Sequence, residues 1–129
     1  AAVGAFVLWS ATTQGEGTSS EVELPDYAYR TASVTQGYVA SLELESLFDQ
    51  IPCYCGCGGI GHMSLLHCFH NGSGEFSQHA AGCNICIEEA LSVWNMHNDG
   101  VSILEIRNII DDHYTSRGYE PTNTPMPDN

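Results

Sequence analysis

Lysine is absent from this chain, and the only other fixed cations are Arg30, Arg107 and Arg117, against sixteen Asp and Glu. The formal charge of −13 leaves no basic patch to neutralise phosphates, which argues against nucleic acid as a partner. It argues equally against electrostatic docking on anionic lipid. Charge of both signs is scarce, 15% of 129 residues, where an ordinary soluble protein has ~25%. Long apolar runs are missing as well. The longest, Ala1 to Trp9, is less than half of the ~20 residues a spanning helix needs. No P-loop, GxSxG, HExxH or GxGxxG pattern occurs, so nothing in the sequence names an enzyme. Convincing period-two alternation is lacking too, which excludes a strand-built core.

What is present divides into three parts. Residues 1–35 read as a hydrophobic N-terminal arm and a Ser/Thr/Gly-rich polar linker, residues 36–118 as a helical Cys/His domain, and residues 119–129 as a Pro-rich tail that cannot be helical. The chain opens on Ala, which reads as a form trimmed from a longer precursor. Its apolar arm at residues 1–9 is expected to be buried on a protein partner or a second copy, or to be the remnant of a signal or membrane anchor. Leu44, Leu47, Phe48 and Ile51 follow helical spacing and predict a helix ended by Pro52. A second helix is predicted over about Ser77 to Asn98, with Ile87, Ala90, Leu91 and Trp94 as its buried stripe and Gly100 as its stop. The third opens on Ser102 and Glu105, a capping box, and runs through Ile106, Ile110 and Tyr114 to Gly118. The class is all-α, with the last two helices as a hairpin. A domain of roughly 80 residues has a marginal core and commonly needs disulfides or a metal.

All six cysteines lie between Cys53 and Cys86. Cys53, Cys55 and Cys57 alternate with Tyr54 and Gly56, a spacing that suits disulfides between them poorly. The glycines that follow would let the backbone wrap several thiolates around one point. Soft thiolates select Cu(I), zinc or iron–sulfur clusters. His79, Cys83 and Cys86 stand four and three apart, so one helix face would carry all three. Thiols near a helix N-terminus have lowered pKa values, which suits Cys83 and Cys86 to metal ligation or to thiol–disulfide redox chemistry. The metal ligands are therefore taken as Cys53, Cys55, Cys57, His62, His79, Cys83 and Cys86. Cys68 ranks below them, because a continuous helix from His62 would point the two apart. Three disulfides stapling an exported chain are the competing account of the same cysteines. His67 and His70 read as surface histidines, and His97 and His113 as residues favoured at helix C-termini. Met63 reads as a packing side chain, and Asn71-Gly72-Ser73 as a turn that also matches a glycosylation acceptor.

Pro52-Cys53-Tyr54-Cys55-Gly56-Cys57, Gly61-His62, Cys68-Phe69, His79-Ala80, Cys83, Cys86 and Glu89-Ala90 resemble a bacterial family of exported proteins of uncharacterised function named for the PCYCGC motif. Glu105, Ile106, Arg107, Ile110, Asp111 and Tyr114 resemble the family's close, so the likeness runs from roughly residue 50 to 116, and the flanks look particular to this chain. The resemblance implies an extracytoplasmic, often membrane-anchored protein that handles metal, at the cell surface or in the periplasm. The function expected is soft-metal binding, copper first and zinc or an iron–sulfur cluster next. The alternative is a disulfide-stapled subunit of a larger surface or membrane assembly, attached through residues 1–9.

Overall fold

A computed structural model describes residues 23–54 and 62–127. The hydrophobic arm and most of the linker lie outside the described residues, and so do Cys55 and Cys57. Thr31 starts the first helix, α1 (Ala32–Glu43), by accepting the Val34 N–H on its side-chain oxygen at 3.1 Å. Leu44 then leaves helical geometry, and the chain restarts as the single turn α2 (Glu45–Phe48). The continuous helix expected up to Pro52 is thus broken at Leu44. The break turns Leu47, Phe48 and the following Ile51 onto the core that Tyr38 already occupies.

Beyond the motif segment, Ser64 brings the chain beside Ile51. This approach is pinned by the Leu65 N–H on the Ile51 carbonyl at 2.7 Å and by the Ser64 hydroxyl on Asp49 at 3.0 Å. A 3₁₀ turn (Leu65–Cys68) follows, then the Asn71-Gly72-Ser73 turn, where the Asn71 side chain accepts the Ser73 N–H and Gly72 has φ +83°. The helix predicted from Ser77 does not begin there. A 3₁₀ turn (His79–Gly82) comes first, Cys83 is extended, and α3 covers Asn84–Asn98. Its buried face carries Cys86, Ile87, Glu89, Ala90 and Val93, while Leu91 and Trp94 are only half-buried. The stripe is rotated because α3 packs on α1 and α4 at once. Helix α4 (Ile103–Thr115) is capped as the sequence predicts, the Glu105 N–H donating to Ser102 at 3.2 Å. Gly100 (φ +87°) and Gly118 (φ +89°) close α3 and α4 in the left-handed conformation that glycine tolerates.

Four α-helices, three short 3₁₀ turns and no strand make up the described residues, so the fold is all-α. The core is aromatic at its centre. Tyr38 meets Phe69 edge-on at 5.0 Å between ring centroids, and Phe48 meets the same ring at 5.9 Å. Helix α1 comes close to α3 through Gly37, where a Cβ would stand 3.1 Å from both Ile87 and Phe69.

Ordered structure extends past both ends of the predicted helices. Asp26–Tyr29 forms a 3₁₀ turn with Ala28 buried, and Arg30 donates to the Ala81 carbonyl at 3.1 Å. The tail is non-helical, as its prolines require, yet Thr122 and Thr124 are buried. Arg107 holds it down, donating to the carbonyls of Thr124 (3.0 Å) and Pro125 (2.8 Å) and to Asp111 on its own helix (2.8 Å). No described helix is long and apolar enough to cross a membrane.

Candidate metal centre

Three separate segments deliver sulfur to one place. Cys53 follows α2 and is gripped on both sides by the tail: its N–H donates to the Thr122 hydroxyl and its carbonyl accepts the Thr122 N–H, each at 3.0 Å. Cys68 ends the 3₁₀ turn that begins at Leu65. Cys86 lies in the first turn of α3. All three are fully buried, with Cys53 Sγ 2.9 Å from Cys68 Sγ and 3.7 Å from Cys86 Sγ. A second group adjoins them. The ligating atoms of His79, Cys83 and Cys86 lie within 4.8 Å of one another, as do those of the three-sulfur group. Cys86 belongs to both.

The second group arises differently from the sequence expectation. His79 and Cys83 do not share a continuous α-helix; His79 sits in the preceding 3₁₀ turn, and that turn folds it back toward the sulfurs. Cys83 is the N-cap of α3, its sulfur accepting the Cys86 N–H at 3.4 Å. Both thiols thus lie at the positive end of the helix, where thiolate is favoured. His62 stands beside this group, its ring 5.4 Å from that of His79 and 6.2 Å from that of His67.

Cys53 is disulfide-bonded. A disulfide sulfur is a poor ligand, so the group formed by Cys53, Cys68 and Cys86 requires reduction of Cys53 before it can hold an ion. Cys53 is not part of the group at His79, Cys83 and Cys86. The surroundings are dry: burial, chiefly, pushes the phenols of Tyr38 and Tyr114 well above their ordinary value, with Cys86 contributing to both.

Of the ligands read from the sequence, the fold therefore assembles Cys53, His79, Cys83 and Cys86, and sets His62 alongside. Cys55 and Cys57 lie outside the described residues. Cys68 corrects the expectation most clearly. It was ranked last on the assumption of a helix from His62, but the chain there is extended and then turns through 3₁₀ geometry, which carries Cys68 into the cluster. His70 is buried rather than superficial, bonded to the Ser41 carbonyl at 3.2 Å, and its imidazole lies 3.7 Å from Glu45. Met63 is half exposed and is not a packing side chain. Two residues were missed. Glu89 is completely buried one turn beyond Cys86, and Arg107 is the clamp of the tail that holds Cys53. A carboxylate three residues from a cysteine on an otherwise apolar face was the available signal for Glu89.

A small all-α domain whose cysteines and histidine converge from three segments on a buried sulfur cluster is, as a class, a candidate metal-site domain. The family model described as a protein of unknown function with PCYCGC motif matches residues 10–127, and the chain belongs to that family. The match is wider than the motifs alone suggest, so residues 10–38 and 118–127 are not particular to this chain. The physical reason is visible in the fold, where residues 26–35 and the tail are packed parts of the domain. No curated protein and no solved structure shows significant similarity to the chain.

Proposed function

We propose that this protein binds a soft metal ion outside the cytoplasm, Cu(I) first and zinc or an iron–sulfur cluster next. The observation that carries the reading is the convergence of three fully buried sulfurs, those of Cys53, Cys68 and Cys86. Thiolate-rich, water-excluded sites select soft ions. Among the described residues each group offers three ligands, a number that suits the low coordination of Cu(I). A three-coordinate ion bonded at ~2.3 Å to sulfur holds its sulfurs ~4.0 Å apart. The Cys53–Cys86 separation of 3.7 Å is close to that, and the 2.9 Å pair would open by about an ångström on binding. Extracytoplasmic location is supported by the disulfide at Cys53, since such bonds persist in oxidising compartments. Reduction by a dithiol supplies the two electrons and two protons that return Cys53 to a thiol, and the dithiol becomes a cyclic disulfide. The test is elemental analysis of untagged protein before and after dithiol treatment, with a thiol count on the same samples. Copper retained at one or more ions per chain after reduction is the expected result. No metal retained in either state overturns the reading.

The Cys53 disulfide also favours a second role, a stapled subunit of a larger assembly joined through residues 1–9. Removal of those nine residues should then leave the helical domain folded and abolish assembly. Normal assembly of the truncated chain sinks that role.

A further inference from the structure

We infer that the reduced centre holds two ions, with the Cys86 thiolate bridging them. The inference rests on the soft-metal reading above and adds a second site to it. Among the described residues two three-ligand groups are present, Cys53–Cys68–Cys86 and His79–Cys83–Cys86, and Cys86 is common to both. A thiolate keeps several lone pairs after its bond to carbon and can coordinate two ions, whereas each imidazole nitrogen offers one. Cys86 is also placed for that task. It is fully buried between the two halves, with Cys53 Sγ at 3.7 Å on one side and Cys83, whose sulfur accepts the Cys86 N–H, on the other.

Charge points the same way. The four thiolates and neutral imidazole of these two groups carry a net −3 around one Cu(I), and a second Cu(I) reduces it to −2. The N-terminus of α3, whose first N–H groups lie beside Cys83 and Cys86, offsets part of the remainder. Burying charge is costly unless it is compensated, so the second ion is favoured once the first is bound. The two halves differ in exposure as well: Cys53 and Cys68 are sealed, while His79 and Cys83 are only partly covered. The His79 half is therefore the one an incoming ion reaches first, with the His62 ring beside it.

The experiment is anaerobic titration of the dithiol-reduced full chain with Cu(I) against a chromophoric chelator, followed by X-ray absorption of the loaded protein. Relative to the parent chain, Cys68→Ser should lose one ion, Cys83→Ser one ion, and Cys86→Ser both. The parent should show copper–copper scattering at a short, thiolate-bridged distance, and all three variants should lose it. If Cys86→Ser loses no more copper than Cys68→Ser, or if the loaded parent shows no copper–copper scattering, the bridge is refuted. The scattering measurement needs no variant, so a substitution that unfolds the chain leaves the test intact. Failure of the parent to bind any copper overturns the soft-metal reading itself, a different result from binding one ion without a bridge.

Discussion

Cys68 is the residue at which local reasoning and the fold part company. Its side chain is fully buried against Cys53, so a hydroxyl in its place is placed among apolar groups and sulfur. Burying an unsatisfied hydroxyl costs about 1–3 kcal/mol. Cys68→Ser should therefore lower stability by that amount in the reduced, metal-free protein, comparably to Cys86→Ser. Thermal unfolding of the two variants checks this, and a silent Cys68→Ser would remove Cys68 from the core. The buried phenols make a second prediction at this scale. Tyr54 donates to Asp111 and stacks on Tyr114 at 5.1 Å; burial first, and then that hydrogen bond, raise its pKa far above the usual value. Tyr38 and Tyr114 are raised by burial as well. Unfolded tyrosines titrate near ~10, so the native state holds these protons more tightly. Their contribution to stability is complete below pH ~10 and is lost as pH rises toward the folded values. In an alkaline absorbance titration, three of the six tyrosines should ionise only together with unfolding. Reversible ionisation of all six near pH ~10 in the folded protein would contradict this placement.

At the scale of elements, the tail and α4 act on the Cys53 segment from outside it. Thr122 is the hinge of that action, since its hydroxyl and its N–H both bond Cys53 at 3.0 Å. Thr122→Val keeps the shape and removes the acceptor, leaving the Cys53 N–H without its partner. The expected cost is about 1–3 kcal/mol, together with faster alkylation of Cys53 after reduction. Mass-spectrometric footprinting of the reduced variant reads the second effect directly; unchanged Cys53 protection would show that the tail does not shield it. Arg107→Lys should act similarly. A single ammonium cannot reproduce the guanidinium fork that reaches Thr124, Pro125 and Asp111 together.

Across the whole molecule, the formal charge of −13 dominates, because no lysine and few arginines lie among the acids. Like charges repel in the compact state, and salt screens them over a Debye length that falls from ~30 Å at 0.01 M to ~3 Å at 1 M. The midpoint of thermal unfolding should therefore rise as sodium chloride is added between those limits. A midpoint that falls would mean that attractive pairs, such as Arg107–Asp111 at 2.8 Å, outweigh the repulsion.

The sequence by itself determined the all-α class, the capping of α4 by Ser102, the glycine stops of α3 and α4, and the family through its cysteine spacing. Each of these depends on residues within a turn or two of one another, where spacing translates directly into geometry. It also put Cys53, His79, Cys83 and Cys86 forward as ligands, because clustered sulfur and imidazole suit a soft ion. The break at Leu44, the 3₁₀ turn that carries His79, the burial of Cys68 and the grip of Thr122 on Cys53 were decided only in three dimensions. In those cases the partner lies 15 to 69 residues away, or the backbone departs from an ideal helix to fill a shared core. Periodicity along one segment does not encode such a partner. Packing between segments selects it, because only the assembled core excludes water from all three sulfurs at once.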